Sequence, residues 1–325
     1  LLDASKHTKK SKVKKSPKQV DFTMIDSEMF EKLIKVKKEI GSGATATVYK
    51  IKNLLKGEGF LALKMLNKTF FKLMDSDTSK QKSKKDIWND DDNDDDLEED
   101  KNENDISVEQ LKKIFKEWEI LSQLDHPNII KTYGFYNGDH LHQPSIILEY
   151  CKLNLEDAIK LLEDFEIVGI IYEICKAMEY LHDMKIIHRD LKTTNILINS
   201  QKHVKICDFG IAKFMNITTL TTMSHGVGTF IYMAPELFDI KSKYDEKVDV
   251  YAFGVVLYFA LTKGDFPPFV QNSPLENTKI PKGINKLSKS LIKNCWSFSS
   301  KNRPSFKKII KIIEDNNFKL IDGID

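Results

Sequence analysis

The chain has 325 residues, 41% hydrophobic and 30% charged, and its 50 basic and 48 acidic side chains leave a formal net charge of +2. That length suggests about two compact lobes, and the apolar share lies in the globular range, which excludes wholesale disorder and collagen-like or disulfide-scaffold classes. The near-neutral balance makes no demand for a nucleic-acid partner, and the apolar run from Val250 to Leu261 is shorter than the roughly 18 residues a membrane span needs.

Cys151, Cys175, Cys207 and Cys295 lie far apart, without metal-ligand spacing. Reduced thiols in an intracellular compartment, cytoplasmic or nuclear, are therefore expected. The start is lysine-rich and lacks the apolar stretch of a secretory signal. It begins at Leu1 and not at methionine, so the chain is expected to be a piece of something longer. Only two of the 50 basic side chains are arginine, Arg189 and Arg303. In a lysine-saturated chain, a surviving arginine marks a place that needs a planar, forked, permanently charged group.

Residues 1–20 carry seven lysines, and a basic, disordered lead is expected over 1–30. Such runs are more often solvated tails than localisation segments. A small β-rich half follows over 31–150, with strands read at Val36 to Ile40, Val48 to Lys52, Phe60 to Met65 and Ile146 to Tyr150. It is interrupted at about 72–106 by an insertion with twelve acidic residues and one lysine between Asp86 and Asp105. That segment reads as disordered. It lacks the glycine an EF-hand loop needs at its sixth position, so calcium binding is not favoured. Ser107 and Gln110 make a capping box, followed at helical spacing by Val108, Leu111, Ile114, Phe115, Trp118 and Leu121. Glu117 falls on the flank of that stripe and needs a partner. The larger half, 151–318, reads as mostly helical, with an apolar stripe of Ile167, Ile170, Ile171, Ile174, Met178 and Leu181, and 319–325 as a tail. The expected fold class is α+β and two-lobed: a small antiparallel β-rich lobe with one key helix, and a larger helical lobe.

Gly41-Ser42-Gly43-Ala44-Thr45-Ala46-Thr47-Val48 lies between two expected strands, where glycines let backbone amides approach phosphate oxygens. On its own a hairpin turn explains it equally well. Lys64 sits in the apolar strand Leu61-Ala62-Leu63-Lys64, where pointing to solvent would be the plain reading. Far more specific are His188-Arg189-Asp190-Leu191-Lys192-Thr193-Thr194-Asn195, Asp208-Phe209-Gly210 and, downstream, Ala234-Pro235-Glu236.

In this order and spacing the series resembles the protein-kinase signature set, over about residues 34–318. The resemblance implies these roles. Lys64 contacts the α- and β-phosphates of ATP and pairs with Glu117. Asp208 and Asn195 hold two Mg2+ ions, with Mn2+ an alternative. Asp190 orients the substrate hydroxyl and accepts its proton, and Lys192 steadies the charge on the phosphate. Ile40, Gly41, Ser42, Gly43, Ala44, Thr45 and Ala46 cover the nucleotide. Val48, Ala62 and Leu197 sandwich the adenine, with Leu148 as gatekeeper and the backbones of Glu149 and Cys151 bonding its edge. Asp249 braces the loop carrying His188 and Arg189, and Arg303 pairs with Glu236. Both arginines thus fall at kinase positions.

Ala46 replaces the usual third glycine, and Thr132 falls where a hydrophobic residue is usual. Lys192 and Thr229 resemble serine/threonine kinases, whereas Asp249-Val250-Tyr251-Ala252-Phe253-Gly254 and Cys295-Trp296 with Arg303-Pro304 resemble tyrosine kinases. That mixture resembles the tyrosine-kinase-like group of serine/threonine kinases, with dual specificity as the alternative. A pseudokinase scaffold is disfavoured because Lys64, Asp190 and Asp208 are all present. The implied partners are protein substrates and a second kinase copy. Lys213 adds charge beside Arg189, and Thr218, Thr219, Thr221, Thr222 and Ser224 form a hydroxyl-rich loop before Thr229, which predicts activation by phosphorylation.

The acidic insertion has too little apolar surface to pack on the small lobe. Its deletion from Ser76 to Asp105 is expected to leave the KM for ATP within about three-fold, whereas a ~100-fold loss of kcat would show that it positions the Glu117 helix.

Overall fold

A computed structural model describes residues 23–43, 46–55, 57–67, 118–119, 121–139, 141–208, 230–238, 244–268 and 275–323. The expectations placed on Ala44, Thr45, the capping box, Glu117, Phe209, Gly210, Lys213, Thr218, Thr219, Thr221, Thr222, Ser224, Thr229 and the insertion lie outside these residues.

Strands β1 (Thr23–Met24), β2 (Lys37–Ser42), β3 (Ala46–Lys52), β4 (Phe60–Leu66), β5 (Thr132–Tyr136) and β6 (Ser145–Glu149) make one sheet in the order β1-β5-β6-β4-β3-β2. Every pairing is antiparallel except β1 with β5, which is parallel. Side chains alternate across a strand, so the register divides this lobe. Val48 faces Lys64 and Ala62 faces Leu148 across the ladders, and these four share one face with Ile146. Ile51, Leu61, Leu63, Met65 and Ile147 occupy the other, where they form a buried core.

That core is closed from outside by α1 (Ser27–Ile34), which buries Phe30 and Leu33. Asp26 caps the helix by accepting from the Met29 amide at 2.8 Å, and Phe30 stacks on Tyr136 with ring centroids 3.8 Å apart. This corrects the expected lead of 1–30: ordered structure begins by residue 23. Met29, Phe30, Leu33 and Ile34 form a helical stripe, joined by Ile25 just ahead of the helix, that the neighbouring lysines hide in composition. On the opposite face Trp118, helical and 1% exposed, packs with Ala46, Leu66, Phe135 and Ile146.

The larger half is mainly helical: α2 (Leu155–Ala158), α3 (Asp164–Asp183), α4 (Lys247–Leu261), α5 (Lys286–Cys295) and α6 (Phe306–Asp315). The apolar stripe expected on α3 is buried throughout. Helix α4 is apolar on all sides and buried from Val248 to Ala260, which makes it the central helix of the lobe. Gly254 on α4 lies so near Trp296 that a Cβ there would stand 2.6 Å from its Cδ1. A second sheet, β7 (Leu153–Asn154), β8 (Ile196–Ile198) and β9 (Val204–Ile206), also belongs to this half. Strands this short carry too few residues to show a period of two. The expected tail at 319–325 is also corrected, because Leu320 is buried and its carbonyl accepts from Ser288 Oγ at 2.7 Å. The two halves join where the Ile130 amide donates to the Ile206 carbonyl (2.9 Å) and the Ile206 amide to Asn128 (2.8 Å).

Arg303, with no exposed side-chain surface, anchors the segment ahead of α4. Its Nη1 and Nη2 donate to Glu236 Oε1 and Oε2 at 2.6 and 2.8 Å, and Nε donates to the Ser297 carbonyl at 2.8 Å. Further bonds reach the Lys247 and Phe298 carbonyls, and the guanidinium lies 5.0 Å over the Tyr251 ring. A buried charge needs this saturation, and the parallel fork is a geometry lysine lacks. Arg303→Lys is expected to destabilise the fold by about 2 kcal/mol, lowering Tm by roughly 4 °C in thermal denaturation. An unchanged Tm would show that the fork is dispensable.

Candidate active site

The loop from His188 to Asn195 is held from beneath by α4. Asp249, 1% exposed, accepts from the His188 amide on Oδ2 and the Arg189 amide on Oδ1, both at 2.8 Å, and from His182 Nε2 at 2.9 Å. Arg189 has φ +66°, a left-handed backbone that costs a non-glycine residue on the order of 1 kcal/mol or more. The bond its amide makes to Asp249 fixes that conformation. Buried His188 receives the Asp190 amide on Nδ1 (3.3 Å), so its proton resides on Nε2, which donates to the Cys207 carbonyl at 3.0 Å. Burial pushes the His188 ring below its ordinary value and keeps it neutral, against the pull of nearby carboxylates.

Above this floor the polar side chains converge. Asn195 Nδ2 donates to both the backbone oxygen and Oδ2 of Asp190, each at 2.9 Å, and Lys192 Nζ stands 2.9 Å from the same Oδ2. Among the described residues, Asp190 Oδ1 is the oxygen these bonds leave available. Lys64 crosses from β4 to the large lobe and donates to Asp208 Oδ1 at 2.6 Å. Asp208 also adopts a positive φ, +55°. Burial acts to raise its carboxyl, but the charge and hydrogen bond of Lys64, helped by Lys192, outweigh it and hold the group below its ordinary value. Asp208 therefore stays ionised through neutral pH.

The expected nucleotide residues that are described come from both lobes. Val48, Ala62 and Leu148 share the sheet face that carries Lys64. Half-buried Leu197 lies between Ile196 and Ile198, which enter the large-lobe core, so alternation turns it the other way. Burial beside Glu149 pushes the half-buried Cys151 thiol up to about 12, which leaves it an inert neutral group. Ile40 is 44% exposed, and Gly41 and Ser42 at the end of β2 and Gly43 just past it are exposed. The methyl of Ala46 is taken into the Trp118 cluster, so its replacement of glycine adds core packing at the start of β3. Thr132, opposite Leu148, has a buried hydroxyl with no hydrogen-bond partner among the described residues.

Two contributors were not read from the sequence. Asn67 at the end of β4 donates to the Gly43 carbonyl at 2.7 Å and accepts from Thr47 Oγ1 at 2.9 Å, tying down the hairpin of the glycine loop. His182 supports Asp249 from α3. Neither residue type stands out at its position, and only the fold brings them near the motifs. Arg189 places its guanidinium 5.5 Å over the Tyr244 ring.

Comparison with known proteins bears on the same residues. Residues 96–313 match the protein kinase domain model, which is more than half of the chain. The match begins after the glycine loop and Lys64. A dual specificity protein kinase of Dictyostelium discoideum, shkE, is 33% identical over 63% of this chain and 31% of its own length. Serine/threonine/tyrosine-protein kinase HT1 of Arabidopsis thaliana is 33% identical over 66% of this chain and 58% of its own length. Serine/threonine-protein kinase CTR1 of the same plant is 31% identical over 65% of this chain and 27% of its own. The chain thus spans less than two thirds of these relatives. It belongs to the protein kinase family, and within it to the part that resembles the tyrosine-kinase-like group of serine/threonine kinases.

Proposed function

We propose that this chain transfers the γ-phosphoryl group of ATP to serine and threonine hydroxyls of protein substrates. The observation that carries the reading is the Lys64–Asp208 pair at 2.6 Å, facing the cluster of Asp190, Lys192 and Asn195. Lys64 reaches the α- and β-phosphates from the small lobe. The acceptor hydroxyl binds at Asp190 Oδ1, because Oδ2 is held by Lys192 and Asn195. As the new oxygen–phosphorus bond forms and the bond to ADP breaks, the hydroxyl proton passes to Asp190. Lys192 balances the charge on the transferring group. Such catalysis is positioning and electrostatics more than covalent chemistry.

The family implies a divalent cation with ATP, and the donor set fits one. Asp208 offers a carboxylate oxygen beyond the one Lys64 occupies, and Asn195 offers a carboxamide oxygen once its NH2 group has gone to Asp190. Hard oxygen donors suit Mg2+, with Mn2+ an alternative. When bound, the ion neutralises charge on the β- and γ-phosphates. Among the described residues no cluster of three His, Cys, Asp or Glu could hold a metal; in this proposal ATP phosphates supply the remaining oxygen ligands.

The names of shkE and HT1 favour dual specificity as a second reading. No helix among the described residues is long and apolar enough to cross a membrane. Free thiols at all four cysteines support an intracellular compartment. Regulation belongs to the same proposal: phosphate within Thr218 to Ser224, added by a second copy, orders the loop beside the positive charge of Arg189.

Asp190→Asn and Lys64→Met are each expected to lower phosphate transfer from labelled ATP to a basic protein by at least ~100-fold, with thermal stability retained. Transfer by Asp190→Asn at the rate of the unaltered chain would overturn the kinase reading. Alanine at Thr218, Thr219, Thr221, Thr222 and Ser224 together should lower activity at least ~10-fold, about 1.4 kcal/mol in barrier. Undiminished activity there would remove the regulatory part alone.

A further inference from the structure

Thr193, Tyr232 and Glu156 meet in a network that the motif roles do not account for. Thr193 follows Lys192, is fully buried, and opens the short 3-10 turn Thr193–Asn195. Its hydroxyl bonds Glu156 Oε1 and lies 2.7 Å from the Tyr232 oxygen, which also receives the Thr193 amide at 3.4 Å. The hydrogens have one consistent arrangement. An ionised carboxylate only accepts, so the Thr193 hydroxyl donates to Glu156. Its oxygen then accepts from the Tyr232 hydroxyl, whose oxygen in turn accepts the Thr193 amide. Burial pushes the Tyr232 phenol up to about 12, against the effect of the Thr193 bonds, so the phenol remains a donor at neutral pH.

The three residues come from separate parts of the chain. Glu156 is in α2, just past β7, and Tyr232 ends the short turn Phe230–Tyr232, ahead of Ala234-Pro235-Glu236, which Arg303 anchors. Thr193 stands between the two. Asn195 closes the turn that Thr193 opens, and its side chain clamps Asp190. With a rise of about 2 Å per residue in such a turn, a displaced Thr193 displaces that clamp.

We infer that Glu156, Thr193 and Tyr232 form a positioning network that locks the Asp190–Asn195 loop to the segment ahead of Ala234-Pro235-Glu236, so that kcat depends on the Tyr232 hydroxyl. The inference rests on the kinase reading above. Buried hydroxyls satisfied for stability alone would leave turnover unaltered in any variant that stays folded.

The test measures kcat and the KM for ATP in the whole chain and in Tyr232→Phe, Thr193→Val, Thr193→Ser, the Thr193→Val/Tyr232→Phe pair and Asp190→Asn. Tyr232→Phe removes one hydroxyl and keeps the ring that packs edge-on to Phe266 at 6.3 Å. It and Thr193→Val are each expected to lower kcat at least ~10-fold, with the KM for ATP within about two-fold. The double variant should lose no more than the weaker single, since both break one unit. Thr193→Ser, which keeps the hydroxyl, should recover kcat to within about three-fold of the unaltered chain. Full kcat in Tyr232→Phe, additive losses in the pair, or Thr193→Ser as slow as Thr193→Val would each overturn the network. If Thr193→Val does not fold, Tyr232→Phe and Thr193→Ser decide it. Asp190→Asn separates the two claims. Its undiminished transfer sinks the kinase reading and the inference together, whereas an inactive Asp190→Asn beside a fully active Tyr232→Phe sinks the inference alone.

Discussion

The carboxylate of Asp249 is buried in the large lobe and accepts three hydrogen bonds, two from the consecutive amides of His188 and Arg189 and one from His182. A buried carboxylate without partners is strongly unfavourable, so these donors and the charge hold one another in place. Arg189 can then keep its left-handed backbone, which turns the chain so that Asp190 meets Asn195 and Lys192. His188, neutral and bonded to the Cys207 carbonyl, carries the same constraint to the strand end that presents Asp208. The placement of Asp190 and Asp208 descends from this one acceptor.

Arg303 does for the lower lobe what Asp249 does for the loop. Its fork on Glu236 and its bonds to the Ser297, Lys247 and Phe298 carbonyls join the Ala234-Pro235-Glu236 segment to α4 and to the turn before α6. A chain that uses lysine nearly everywhere retains arginine here because one planar group satisfies five acceptors at fixed angles. Tyr232 lies just ahead of this anchored segment, which explains how a single phenol can serve as a fixed reference for the loop.

The small lobe is a sheet with two unlike faces. One is sealed by α1 with Phe30 and Leu33; the other carries Lys64, Val48, Ala62 and Leu148. Sealing the outer face stiffens the strands that aim Lys64, and Asn67 fixes the glycine hairpin from the end of the same strand. The Lys64–Asp208 pair then spans the lobes.

Much of the candidate site was legible in the sequence because its chemistry is written in short contiguous runs. His188 to Asn195 and Asp208 lie within one stretch, and the scarcity of arginine pointed to Arg189 and Arg303. The α3 stripe and the apolar run of α4 were legible through periodicity and length. What remained hidden depends on partners distant in the chain. α1 was masked by the lysines beside it, and β7, β8 and β9 are too short for a pattern. The tail gave no sign that Leu320 would be buried. Asn67, His182 and the Glu156–Thr193–Tyr232 network contain ordinary polar residues whose meaning comes from neighbours 20 to 67 positions away. Local sequence determined which groups could react, since reactivity belongs to the side chain. Only the tertiary structure decided what holds them, because a hydrogen bond depends on distance in space and leaves no spacing in the chain.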